Sequence, residues 1–279
     1  MSTPPHERAR GSEREPHRAR ELAESFGADA ARYDRARPRY PAAMVERVVA
    51  AMPGRQVVDV GCGTGIAARQ FQAAGCSVVG VEVDARMAEW ARHTGLEVEV
   101  AAFESWDPVG RVFDAIVSGQ TWHWIEPVTG TAKAAEVLRS SGVLAVFWNV
   151  FRPSPEVAGA FSRVYRRVMP DLALDPWAIP PLDAYAGVFA RAGDGMRAAG
   201  AFSAPQHWQF DWQRTYTRDE WLDQVPTFGD VGQFSPDELA ELLAGVGETI
   251  DVMGGSFTMP YATVVIAATR LGVATETSG

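Results

Sequence analysis

Val57-Val58-Asp59-Val60-Gly61-Cys62-Gly63-Thr64-Gly65, followed by a helix-compatible run from Ile66 to Ala74, decides the fold of this 279-residue chain. An apolar run rich in β-branched residues reads as a buried strand, the glycines after it as a tight turn, and the run beyond as a helix. A second β-rich run, Ser77 to Val83, follows Gly75 and ends in acidic residues, and Ala85 to His93 is helical again. Strand, helix and strand in that order form a crossover unit, which requires parallel strands and a right-handed connection. Further strands are expected at Glu97 to Ala101, Phe113 to Ser118 and Val143 to Trp148, with a helix from about Gly130 to Leu138 before the last of them. Later, Trp208 to Phe210 and Ser256 to Ala268 read as strands, and Asp219 to Gln224 and Pro236 to Val246 as helices. The expected fold class is therefore α/β, a doubly wound, seven-stranded, mostly parallel sheet.

Upstream of the turn, Leu22 to Tyr33 and Ala42 to Met52 are helix-compatible, separated by Pro38 and Pro41 and closed by Pro53-Gly54. Residues 1–21 alternate charges with almost no apolar content, so burial cannot offset the entropy of ordering them. They are expected to be a disordered tail, and residues 271–279 a flexible one. Residues 151–204 break the alternation with helical segments and the proline-rich piece Pro170 to Pro181, and read as an inserted helical cap. Residues 22–150 and 205–270 then form the core domain.

Composition sets further bounds. With 47% hydrophobic residues the chain can bury a core. No apolar run reaches the roughly 18 residues of a membrane span, and the first residues lack the apolar stretch of a signal peptide. The expectation is a cytoplasmic protein with no membrane partner. Cys62 and Cys76 alone support neither a disulfide framework nor a thiolate zinc site, so no metal is expected. The formal charge of -9 has the wrong sign for tracking a phosphate backbone, so no nucleic acid is expected as partner.

The turn narrows the ligand. A dinucleotide fingerprint needs G-x-G-x-x-G, but the third glycine comes one place early, at Gly65, and Ile66 holds the fingerprint position. No Gly-Lys-Ser/Thr follows, which excludes a P-loop. Asp59 beside the loop suits a cationic group, because a carboxylate and exposed loop carbonyls hold an ammonium while glycines let the backbone approach without a Cβ in the way. At the end of the second strand Glu82 suits a pair of ribose hydroxyls; Asp84 competes with it, and a strand-end surface carboxylate is the bland reading of either.

Val57 to Gly65 resembles the first motif of class I S-adenosylmethionine (SAM)-dependent methyltransferases, and Gly80 to Asp84 is similar to their second. Phe113-Asp114-Ala115-Ile116-Val117-Ser118, Leu138 and Ser141-Gly142-Val143-Leu144 carry the resemblance on, so that it covers residues 22 to 148. Phe26-Gly27 through Tyr40-Pro41, with Gln120-Thr121-Trp122-His123-Trp124, look like the small-molecule branch labelled methyltransferase type 11. The resemblance implies a Rossmann-like fold, SAM as cofactor, S-adenosylhomocysteine (SAH) as product, and an N-terminal segment folded over the cofactor. It also implies an acid near the end of the third strand that meets the adenine amine; here Ala101-Ala102-Phe103-Glu104 stands instead, so Phe103 and Glu104 are the substitutes.

The expected cofactor contacts are Asp59, Gly61, Cys62, Gly63, Gly65, Glu82, Val83, Met87, Phe103, Glu104, Ser118 and Gln120. Open parallel sheets bind ligands beyond the carboxyl ends of their strands, which brings Ser118 to Trp124 next to the transferred methyl. His123 is the candidate catalytic base for a hydroxyl, phenol or amine acceptor, whereas a carboxylate needs none; a packed pocket histidine is the alternative. Trp122 and Trp124 offer aromatic faces to a sulfonium or a flat acceptor, or belong to the core. Tyr33, Arg37 and Tyr40 are expected at the substrate, Arg37 gripping a carboxylate or lying on the surface. The expected activity is methyl transfer to a small-molecule acceptor, with O-methylation of a carboxylate or hydroxyl favoured, by a monomer or homodimer. A nicotinamide-dependent oxidoreductase on the same sheet and a non-catalytic SAM-binding regulator are the rivals.

Overall fold

A computed structural model describes residues 26–170, 175–177, 181–229 and 234–272. The tail 1–21, the first residues of the Leu22 helix, most of the Pro170 to Pro181 piece and residues 273–279 lie outside them. In chain order the elements are α1 (Ala30–Ala36), α2 (Ala42–Ala51), β1 (Gln56–Val60), α3 (Ile66–Ala73), β2 (Ser77–Glu82), α4 (Ala85–His93), β3 (Glu97–Val100) and β4 (Phe113–Gly119). Then come α5 (Pro127–Val137), β5 (Leu138–Phe151), α6 (Pro155–Val168), α7 (Pro181–Ala198), β6 (Gln206–Thr217), α8 (Arg218–Gln224), α9 (Pro236–Val252) and β7 (Ser256–Thr269).

The seven strands form one sheet in the order β3-β2-β1-β4-β5-β7-β6. β1 pairs in parallel with β2 and β4, β2 with β3 and β4 with β5, while β7 runs antiparallel to β5 and β6 antiparallel to β7. Strands with helices on both faces read as mainly apolar runs, and β1 is buried at every residue after Gln56. The expected α/β sheet is thus found, with its Rossmann-like crossovers.

Local chemistry sets the element ends. Asp84 caps α4 by accepting from the Arg86 N–H, and Thr217 and Ser235 form capping boxes with Glu220 and Glu238 at the starts of α8 and α9. Proline opens α5, α6 and α9, where its missing N–H costs nothing.

Three apolar clusters follow. On one sheet face Met44 and Val48 of α2, Phe71 of α3 and Ala88 of α4 pack on Val57, Val117 and Phe147. On the other, Ala134 and Val137 of α5 with Ala192 and Met196 of α7 cover Ile116, Trp148 and Ile266. In the third, Phe161 of α6, Trp221 of α8 and Leu242 of α9 pack on Tyr216, Phe257 and Tyr261 from one end of β6 and β7. Because β7 is antiparallel, its first residues lie beside Phe151, at the carboxyl end of β5. The third cluster therefore stands at the carboxyl edge of the parallel strands. Segment 151–204 divides accordingly: α6 joins this body, whereas α7 covers the sheet.

Candidate functional site

Loops leaving the carboxyl ends of β1, β2, β4 and β5 enclose a cavity of about 660 Å³. At its floor the β1 turn is fixed by backbone bonds: the Gly61 and Cys62 N–H groups donate to the Val81 carbonyl at 2.7 and 3.3 Å, and the Gly65 N–H to the Cys62 carbonyl at 2.8 Å. Gly61, at φ 64°, presses on Thr121, since a Cβ there would stand 2.0 Å from Thr121 Cγ2. Thr121 Oγ1 in turn donates to the Gly61 carbonyl at 3.1 Å, tying the loop after β4 to the glycine turn.

Two buried carboxylates face this cavity. Glu82 is almost fully buried, and its oxygens accept from the Gly63, Val83 and Asp84 N–H groups at 2.7, 2.9 and 3.0 Å. Burial still pushes its carboxyl above the usual range. Asp59 is only 1% exposed and neither oxygen has a hydrogen-bond partner. Burial raises it to about 8; the Ala68 N–H, too poorly placed to complete a hydrogen bond, offsets this in part, and the nearby Glu82 adds to it. Among the described residues it is the one buried carboxylate with both oxygens unsatisfied. Leaving such a group unpaired costs several kcal/mol, so the site is built for a cation or donor to arrive.

Most of the anticipated residues meet here. Gly61, Cys62, Gly63, Val83, Met87, Phe103, Glu104 and Gln120 line the cavity with the two carboxylates, and so do Tyr33, Arg37, Tyr40, His123 and Trp124. Three do not. Gly65 shapes the turn as the left-handed residue before α3; Ser118 is fully buried and donates to the Val60 carbonyl at 2.9 Å; Trp122 packs on Phe103 in the second cluster. Asp84 is likewise spent, on the α4 cap and on Arg86.

The acceptor end has its own geometry. Arg37 lies over the Tyr33 and Phe228 rings at 4.9 and 5.4 Å and donates to the Thr227 carbonyl. His123 contacts the Trp124 ring at 4.5 Å, and its Nδ1 accepts from Trp148 Nε1 at 3.2 Å. Crowding by the protein and the positive charge of Arg191 push its imidazole down to about 4. The ring is open to the cavity, which tempers that shift, but the direction leaves it neutral at pH 7. Gln120 holds φ 60°, a conformation few non-glycine residues adopt, and its amide donates to the Asn149 carbonyl at 3.0 Å.

Sequence reasoning placed Thr121 within the Ser118 to Trp124 stretch but missed Asn149, Phe151, Glu126 and Tyr261 as lining residues. The rule about carboxyl ends, extended to β5, could have found Asn149 and Phe151. Tyr261 is different, because it sits near the start of a strand whose antiparallel direction no local signal announces.

A model of the methyltransferase domain family matches residues 33–251. The chain belongs to that family. Uncharacterized methyltransferases of Mycobacterium tuberculosis and Mycobacterium bovis are 32% identical over 133 residues, which is 47% of this chain and 54% of theirs. The chain spans about half the length of these curated relatives. A structure assigned as a type II methyltransferase from Anaeromyxobacter dehalogenans superposes with a TM-score of 0.62 at 21% identity, over 85% of this chain and 99% of that one. That likeness is one of fold. The family match agrees with the resemblance carried by Val57 to Gly65, and it leaves the oxidoreductase reading without support. No described helix is long and apolar enough to cross a membrane, and no described group of side chains has the make-up of a metal site.

Proposed function

We propose that this methyltransferase-family protein transfers the methyl group of SAM to an oxygen of a small-molecule acceptor and releases SAH. The observation that carries the reading is Asp59, a buried carboxylate unsatisfied at both oxygens beside a glycine turn. It fits the cofactor's ammonium, and Glu82, pinned by three N–H groups, keeps a lone pair for the ribose hydroxyls. Met87 and Phe103 supply apolar surface for the adenine. When bound, SAM supplies a methyl already activated by its sulfonium.

The chain's own residues then align and dry the site. In this reading the residues at the ends of β1 and β2 take the cofactor, and those at the ends of β4 and β5, with Tyr261 of β7 and Tyr185 of α7, take the acceptor. Trp124, Phe151, Tyr185 and Tyr261 give that acceptor half apolar walls, and α6, α8 and α9 pack behind Phe151 and Tyr261. Holding two reactants in line and excluding water are the contributions such a transfer needs. The charge of -9 supports a small molecule over nucleic acid as acceptor, and we expect the protein to act in the cytoplasm.

Calorimetry with SAH tests the cofactor half: a saturable heat is expected, and its absence at high protein concentration defeats the proposal. For the acceptor half, the protein is incubated with SAM and pooled metabolites, and the expected product is heavier by one CH2 unit.

A further inference from the structure

The proton inventory of the acceptor end points further, given the methyl-transfer reading above. A hydroxyl or phenol acceptor needs a base. Among the described residues lining the cavity, the other titratable side chains are held elsewhere: the Tyr33 ring lies beneath the Arg37 guanidinium at 4.9 Å. Asp59 and Glu82 floor the cofactor half. Glu104 accepts from the Glu126 N–H at 3.0 Å, and Glu126 accepts from the Thr129 N–H and hydroxyl, both at 2.6 Å. The Tyr261 hydroxyl pairs with Tyr216 at 2.5 Å, and burial raises Tyr40, Tyr185 and the Cys62 thiol, so they stay protonated.

His123 is the remaining candidate, and its partner decides its role. Trp148 is fully buried in the sheet, and an indole N–H only donates. The ring nitrogen it meets, Nδ1, must therefore carry a lone pair, which places the proton of the neutral imidazole on Nε2. Arg191 from α7 acts on the ring as a positive charge and disfavours a second proton on it, while Tyr185, Glu104 and Glu126 line the same cavity. His123 thus offers the acceptor a donor, and Arg37 is the cation lining the cavity.

We propose that Trp148 is a positioning residue that holds His123 as an Nε2–H donor, and that the acceptor is accordingly a carboxylate on an apolar or flat body, methylated to its ester without a base. The balance closes: a carboxylate oxygen pair forms the bond to the methyl carbon, the carbon–sulfur bond breaks with its pair going to sulfur, and no proton moves. Charge is annihilated in that step, which a water-poor cavity favours.

The test reads the proton directly. In protein labelled with 15N-histidine, with the His123 signals assigned by their loss in His123→Gln, the ring is expected to remain the neutral Nε2–H tautomer from about pH 5.5 to 8. In Trp148→Phe, which removes the donor to Nδ1, the ring is expected to stay neutral but to populate both tautomers. An Nδ1–H tautomer, or protonation near pH 6.5 in the wild type, overturns the proposal. In the second arm, label is transferred from methyl-labelled SAM to a metabolite pool and treated with mild alkali. Volatile methanol is expected, because esters hydrolyse; alkali-stable label overturns the carboxylate class while leaving methyl transfer standing. Absent SAH heat defeats the underlying reading instead. With the acceptor in hand, His123→Gln, a donor without basicity, is expected to stay within about tenfold of wild type, while His123→Ala loses roughly 10- to 100-fold. Equal losses in both overturn the donor role.

Discussion

Replacing Asp59 by asparagine separates folding from function with opposite signs. In the free protein Asp59 titrates at about 8, against an ordinary 3.8. A carboxyl whose pKa is raised by folding binds more protons folded than unfolded, so it subtracts stability as pH rises from about 4 and reaches its full effect near 8. At pH 7 the difference is about 3 pH units, or about 4 kcal/mol. Asparagine resembles the protonated carboxyl, so Asp59→Asn is expected to match wild type near pH 4 and exceed it by up to about 4 kcal/mol at pH 7, a melting-temperature gain of roughly 10 °C. SAH binding runs the other way. An ionised Asp59 meeting the ammonium contributes about 1.5–3 kcal/mol, but below pH 8 each unit of acidity subtracts about 1.4 kcal/mol, because one proton must leave. Wild-type affinity is expected to rise about tenfold from pH 6 to 7 with one proton released, measured as the difference in heat between buffers of unlike ionisation enthalpy. The variant is expected to show neither slope nor release. Equal heats in both buffers for the wild type, or a variant no more stable at pH 7 than at pH 4 relative to wild type, would refute the assignment of Asp59 as the ammonium's partner.

Two further outcomes are expected. Ala102→Asp, which places an acid beside Phe103 where the resembling families carry one, is expected to tighten SAH binding roughly 2- to 10-fold by calorimetry; unchanged affinity would mean that Glu104 or a backbone carbonyl already meets the adenine amine. Gly61→Ala combines a φ of 64° with a Cβ 2.0 Å from Thr121 Cγ2, and is expected to cost about 1–3 kcal/mol and at least tenfold in SAH affinity, with partial recovery in the Thr121→Ser background, which removes that methyl.

What could be read in advance divides along a physical line. The β1 turn was legible because Gly61, Gly63 and Gly65 all adopt φ values that other residues avoid, and because the valine-rich cores of β1 and β2 are buried on both faces. These properties are local. β6 was read as three residues and runs from Gln206 to Thr217, because alternating Gln, Asp and Arg weaken its intrinsic preference while pairing with β7 at every position overrides it. α5 begins three residues before Gly130, at Pro127, because Glu126 caps it by accepting from the Thr129 N–H. The split of segment 151–204 was not legible, since whether an amphipathic helix covers a sheet face or an edge depends on partners far along the chain. Tyr261 reached the site through the same long-range register. Ser118 shows the reverse failure: its position at a strand end suggested a ligand, but the nearest acceptor was the Val60 carbonyl of the neighbouring strand.

Local rules break where the function is placed, and the breaks come in different kinds. Positive φ at a non-glycine residue is not decisive alone, since Val109 and Ser141 share it with Gln120. Nor is a buried polar atom without a partner, because Trp90 and Gln224 also have one. What separates the edge of β1 and β4 is coincidence: a strained Gln120, a glycine turn pressed on Thr121, and an ionisable carboxylate at Asp59 with nothing to bind lie around one cavity. Each costs stability, and no packing gain nearby offsets Asp59 in the free protein. A ligand that carries a cation to that carboxylate removes the largest of these costs on binding, so the fold becomes more stable when it is occupied. At His123, too, Trp148 satisfies one ring nitrogen from within the sheet and leaves the other to be satisfied by the acceptor.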